Sequence, residues 1–229
     1  MANLYGPRIV TNGLIFSVDA GNNKSYPGTG TTWYDLSGNN NNGTLINGTA
    51  FNSSNVGSFY FDNSNDYVSI PYNSIFNTTA GLTIEALVKF SGNSDDFIFE
   101  KGNVNTQYSL FSHSTDIVFR TYHSGDGSYH TQNPQKSSVG VTNGQWHHIV
   151  GSWDGSVKRI YVDGVLRNSV SKGNALVTQT TGSAIGRFGG TSSGYFFGGN
   201  IAKVSIYSKG LSASEVLQNY NALKGRFGK

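Results

Sequence analysis

The chain has 229 residues with no cysteine, 13% charged residues and a formal net charge of +3, which excludes a disulfide framework and any thiolate or zinc-thiolate chemistry. Thirty glycines, 13 tyrosines and 14 phenylalanines describe a turn-rich, aromatic-rich β protein, and the low charge argues against disorder. Lys224, Arg226 and Lys229 concentrate positive charge at the C-terminal end, so the body lacks the basic cluster that nucleic-acid binding needs, and no apolar run approaches the ~18 residues of a membrane span.

In chain order, residues 13–20 (G-L-I-F-S-V-D-A) form the first expected strand, and Gly21 to Ser25 end it with turn formers. A long polar loop follows, carrying Trp33 and Tyr34, before the strand-like residues 43–46. Residues 58–71 give two strands around the turn Asn63-Ser64-Asn65, with Pro71 ending the second. Residues 82–90 are the clearest single strand. Ile84, Ala86, Val88 and Phe90 share one face, and Thr83, Glu85 and Lys89 lie opposite with Leu87 as the exception.

Short strands at 96–100, 108–113 and 116–122 continue at the spacing of a sandwich or barrel, and residues 124–138 read as a loop. Residues 145–166 (Q-W-H-H-I-V-G-S-W-D-G-S-V-K-R-I-Y-V-D-G-V-L) specify a three-stranded meander. Asp154-Gly155 and Asp163-Gly164 supply residues tolerant of positive φ between β-rich runs. Strands at 184–187 and 199–207 frame the aromatic, glycine-rich loop 188–198, which holds Tyr195 and Phe196. One helix is expected, opened by a capping box from Ser212 to Glu215, stapled by Leu211 and Val216, and ending near Gly225. The chain reads as one domain: a lead over 1–12, a body over 13–210, and a helix and tail over 211–229 packed on that body.

The stretches 13–20, 61–68 (F-D-N-S-N-D-Y-V), 82–88, W-H-H-I-V at 146–150 and Y-V-D-G at 161–164 together resemble the laminin-G-like, concanavalin A-like jelly-roll domains, in family order over nearly the whole chain. The resemblance implies an all-β, two-sheet antiparallel sandwich with one short C-terminal helix and ligands on rim loops or a concave face. Residues 211–227 also look like the C-terminal ends of laminin-G-like proteins of tailed bacteriophages. One departure stands out: relatives often carry I-D-E-V-R-I-Y where this chain has I-A-K-V-S-I-Y at 201–207.

The same fold hosts glycoside hydrolases, which need two carboxylates about 5 to 9.5 Å apart across the scissile bond. Only Glu85, Glu100 and Glu215 are glutamates here, and the E-x-D-x-x-E signature of the family's glucanases is missing. Glu215 belongs to the helix cap, while Asp96 and Glu100 share a strand face about 13 Å apart at ~3.3 Å per residue. No enzyme is expected. His147 and His148, as strand neighbours, point to opposite faces and cannot share one ion. Asp62 and Asp66, with Asn63 and Asn65 between them, are the candidate calcium ligands, although D-N-S-N-D equally makes an Asx-stabilised turn.

Sugar recognition needs exposed aromatic faces beside planar amides and carboxylates, and Trp33, Tyr34, Tyr129, Tyr195 and Phe196 are the candidates. The resulting expectation is a non-enzymatic virion structural protein of a tailed phage, a capsid decoration or tail-fibre-associated subunit bearing a carbohydrate-binding surface. Its partners would be other virion proteins, further copies of itself and a cell-surface glycan. The N-terminus lacks the features of a secretion signal, which fits synthesis in a host cytoplasm and residence on the virion surface. The alternative is a free or cell-surface lectin module in an extracellular setting.

Overall fold

The computed structural model describes residues 8–54, 57–92, 95–102, 107–125, 129–132 (backbone), 138–189 and 195–228. In chain order the strands are β1 (Leu14–Asp19), β2 (Thr32–Trp33), β3 (Gly43–Ile46), β4 (Ala50–Asn52), β5 (Ser58–Asp62) and β6 (Tyr67–Ile70). Next come β7 (Leu82–Phe90), β8 (Asp95–Lys101), β9 (Tyr108–His113), β10 (Asp116–Tyr122) and β11 (Tyr129–Gln132). The chain closes with β12 (Trp146–Trp153), β13 (Val157–Val162), β14 (Val165–Ser171), β15 (Ser183–Ile185), β16 (Gly198–Tyr207) and helix α1 (Ala213–Leu223). They form two eight-stranded antiparallel sheets. The first runs β14-β13-β12-β7-β16-β5-β4 with β1 also on β16, and the second β11-β10-β9-β8-β15-β6-β3-β2. This is the jelly-roll sandwich that the sequence implied, and its core lies between the sheets.

Strand alternation builds that core. In β7, Ile84, Ala86, Val88 and Phe90 face inward, where they meet Phe16, Phe59, Phe99, Leu110, Phe119 and Ile206. Leu87, which broke the alternation, packs outward with Trp146, Ala202 and Leu223, because α1 covers that face. The meander forms as expected. Asp163 and Gly164 take φ of 51° and 77°, the left-handed pair that a two-residue hairpin turn requires.

Three segments differ from expectation. The loop at 124–138 contains β11, which pairs with β10, and the polar loop before residue 43 contains the short β2. Ala50–Asn52 is a further edge strand, β4, on β5. β2 and β4 are too short to display a period, and the four residues of β11, Y-H-T-Q, carry no aliphatic side chain to mark one. In β8 the register shifts between Phe97 and Phe99, so Asp96 pairs with Ser112 while Glu100 pairs with Ser109 and Ala184. This bulge corrects the reading that Asp96 and Glu100 share a face. Asp96 turns inward, where Oδ1 accepts from Gly198 N at 2.7 Å, and Glu100 turns outward, where Oε2 accepts from Gly189 N at 3.0 Å.

Candidate functional site

On the outer face of the second sheet, two adjacent strands point aromatic side chains away from the core. Phe97 of β8 and Phe111 of β9 are register partners and lie stacked, with centroids 4.4 Å apart and planes 3° apart. Val118 of β10 and Phe188 join them in a small apolar cluster. Such a cluster on an outer sheet face has to be covered or used.

The cover is partial. A hairpin leaving β15 folds back over β8: Phe188 N donates to Tyr195 O at 2.9 Å, Phe197 N donates to Gly186 O at 2.8 Å, and Arg187 bridges Phe196. Gly186 makes the close approach feasible. Its φ is 84°, and a Cβ there would lie 2.5 Å from the Phe61 ring. The hairpin sets Phe188 edge-on to Phe97 at 5.3 Å, with Tyr195 6.0 Å from Phe188 and still 45% exposed.

The result is a depression of about 230 Å³ lined by Asp95, Phe97, Phe111, His113, Arg120, Phe188 and Tyr195. Its polar rim is organised. Asp95 and His113 hydrogen-bond through Oδ1 and Nδ1, and the Arg120 guanidinium lies 4.5 Å over the Phe111 ring. An exposed ring for the C–H face of a pyranose, flanked by a carboxylate, an imidazole and a guanidinium for its hydroxyls, is the chemistry of sugar binding.

Of the residues selected from sequence, only Tyr195 lines this depression. Phe196 is half-buried beside it in the hairpin. Trp33 must be corrected: it is fully buried, edge-on to Phe59 at 4.8 Å, and belongs to the core. Tyr34 is 44% exposed but follows β2, at the opposite edge of the sheet from β9 and β10. Tyr129 lies in β11, and its side chain is outside the described residues. Asp95, Phe97, Phe111, His113, Arg120 and Phe188 were not singled out. Their one sequence signal is that strands 95–101 and 108–113 carry apolar residues on both parities, the mark of a sheet face that is not simply solvated.

The aspartate pair does not fit calcium. Asp62 Oδ1 accepts from Ser64 N at 2.8 Å and Asn65 N at 3.2 Å, and Asp66 Oδ2 accepts from Asp62 N at 3.2 Å. Slight burial works against ionisation of Asp62, but these backbone N–H groups outweigh it and hold the carboxyl below its usual range. Burial and the Asp62 charge push Asp66 up. The carboxylates are spent on closing their own Asx turn, with Asn63 at φ 63°. No group of three or more His, Asp or Glu side chains gathers among the described residues.

The glutamates are equally committed. Glu85 is fully buried under α1, where Oε1 pairs with His148 Nε2 at 2.6 Å and Oε2 accepts from Asn219 Nδ2 at 3.1 Å and Tyr207 OH at 3.3 Å. Burial opposes its ionisation, but His148, Lys203 and Asn219 outweigh that and hold the carboxyl below its usual range. Asn219 Oδ1 also accepts from Val10 N at 2.7 Å, so one side chain ties helix, strand and N-terminal lead. Glu100 is fully buried, and Glu215 completes the capping box with Ser212. His147 and His148 do face opposite ways, His147 toward Asp163 at 3.1 Å. The I-A-K-V departure also gains a reason: Ala202 packs beneath Leu223, and the buried Lys203 places its charge beside Asp19 and Glu85.

Comparison with known proteins agrees with this architecture. The binding domain of Paraclostridial Mosquitocidal Protein 1 superposes with a TM-score of 0.73 at 16% identity, over 93% of this chain and 52% of that one. The receptor-binding domain of botulinum neurotoxin D gives 0.69 at 15% identity, over 92% and 52%. The binding domain of botulinum neurotoxin DC in complex with SialylT gives 0.69 at 16%, over 93% and 52%. The chain thus spans about half the length of these structures, and at such identities the likeness is one of fold. No curated protein matches by sequence. The profile of the concanavalin A-like lectin/glucanases superfamily matches residues 61–217, from β5 into α1 and through the whole aromatic depression, and the chain belongs to that superfamily.

Proposed function

We propose that the protein is a non-enzymatic carbohydrate-binding module whose recognition surface is the aromatic depression on the outer face of the second sheet. The observation that carries this is the exposed Tyr195 ring above the Phe97–Phe111 stack, rimmed by Asp95, His113 and Arg120. Burial or structural use of all three glutamates supports a binding role over hydrolysis. Solved structures of similar fold are binding domains of toxins, which supports a targeting role within a larger assembly.

The assembly proposed is the virion of a tailed phage, with the module attached to capsid or tail as an oligomer. The phage-like C-terminal segment supports it, and mass spectrometry of purified virions that lacked the protein would sink it. A monomeric domain that binds glycan on its own would favour the free lectin module instead.

Glycan-array screening followed by calorimetry tests the recognition surface. Tyr195→Ala should weaken binding of any array hit about tenfold or more, as loss of a stacking platform implies, while leaving stability within about 0.5 kcal/mol. An array without hits, or full affinity in Tyr195→Ala, refutes the assignment.

A further inference from the structure

A second depression adjoins the aromatic one, because Arg187 and Phe188 are consecutive and each lines a different basin. This one, of about 320 Å³, sits over β6 and β15 and is lined by Tyr67, Ser69, Thr181, Ser183, Arg187 and Gly189, among others. Its chemistry differs. Both hold a guanidinium over a ring, Arg120 over Phe111 in the first and Arg187 4.1 Å over Tyr67 in the second, but the second has hydroxyls of Ser69, Thr181 and Ser183 where the first has stacked phenylalanines.

Three polar atoms around this opening have no partner among the described residues: Arg187 Nε, Thr181 Oγ1 and Ser183 Oγ, all buried. Other unpartnered polar atoms, such as Trp146 Nε1 and His148 Nδ1, lie beneath α1, whereas these three belong to residues that line an open basin, where an incoming group could complete them. The charged groups beside the basin include one carboxylate, already bonded to a lining residue, and one lysine. Glu100 accepts from Gly189 N at 3.0 Å. Lys101 Nζ donates to Thr181 O at 2.5 Å and to Gln179 O at 3.0 Å, which puts a second cation behind the rim. Arg187 forms no ion pair with a described carboxylate, and its stacking on Tyr67 pre-orients a fork suited to a planar oxyanion.

We infer that this basin is an anion subsite of the sugar-recognition surface, in which Arg187, Thr181 and Ser183 take the carboxylate or sulfate of an acidic sugar. The inference rests on reading the neighbouring aromatic depression as the sugar site. It narrows the ligand class to acidic glycans, with one residue over Tyr195 and the charged group beside Arg187.

The test compares neutral oligosaccharides with counterparts bearing a uronate, a sialic acid or a sulfate, first on an array and then by calorimetry at low and high salt. The acidic member should bind about 10- to 100-fold more tightly than its neutral counterpart, the range expected for a charge-assisted hydrogen bond. Salt should weaken that advantage. Arg187→Gln should abolish the difference while keeping neutral-sugar affinity and melting temperature, Arg187→Lys should recover only part of it, and Ser183→Ala should reduce it. Whether uronates and sialosides or sulfated sugars gain more identifies the oxyanion. Equal affinity for neutral and acidic sugars, or a preference that survives Arg187→Gln, overturns the subsite and leaves the sugar site standing. No binding to any member overturns both.

Discussion

The outer faces of the two sheets present opposite solutions to one problem. On the first sheet, α1 and the N-terminal lead lie across β7, β12 and β16, and Trp146 packs against Phe227 at 4.5 Å. The carboxylates trapped there find partners, Glu85 in His148, Asn219 and Tyr207, and Asp19 in Arg226 at 2.7 Å, while Trp146 Nε1, His148 Nδ1 and Arg226 Nε and Nη2 have none among the described residues. On the second sheet a hairpin gives only partial cover, leaving Tyr195 and the basin beside Arg187 open to solvent. A carboxylate in a sugar-hydrolase fold is therefore no sign of catalysis by itself. Its meaning depends on whether its partners belong to the chain or must come from outside.

The sharpest way to break this contrast is to empty the closed face of its charge. Glu85→Ala leaves His148, Asn219 and Lys203 buried without their partner and should destabilise the fold by about 3–5 kcal/mol, read as a shift in urea midpoint. A loss below about 1 kcal/mol would mean that the network does not hold the helix down.

Acid should loosen the same face less abruptly. Because the Glu85 carboxyl is held below its unfolded value, its contribution is present above about pH 4.3 and is lost as pH falls through the folded pKa. Urea titrations from about pH 3 to 6 should show that loss, and Glu85→Gln should flatten the slope. A slope unchanged in Glu85→Gln would assign the acid sensitivity to other carboxylates.

A smaller effect sharpens the comparison. Ser212→Ala removes the cap hydroxyl that accepts from Glu215 N and should cost about 1 kcal/mol, with sugar affinity unchanged because α1 lies on the other sheet's face. Coupled loss of sugar binding would show that the two faces communicate.

Much of this was legible because local rules act within a strand or a turn. The alternation of 82–90, the two Asp-Gly turns and the Ser212–Glu215 box each specify structure without reference to distant residues. The site was less legible because it is made by register. Phe97 and Phe111 meet only when β8 pairs with β9, and the bulge after Phe97 decides which way Glu100 turns. Trp33 misled for the converse reason: its polar surroundings in sequence are replaced in space by Phe59, which a β2 of two residues gives no pattern to reveal. Leu87, the exception in the alternation of 82–90, is explained only by a feature distant in sequence, the helix that covers it.

The tethering of residues 8–10 to α1 sets a direction for the whole molecule. Gln218 Nε2 donates to Arg8 O at 2.7 Å and Asn219 holds Val10, so the first described residues and the last helix share one side of the sandwich. Immobilising the protein through an exposed position of α1, such as Leu217, should turn the Tyr195 and Arg187 basins toward solution, where a sensor surface or a coated bead would display them without steric obstruction.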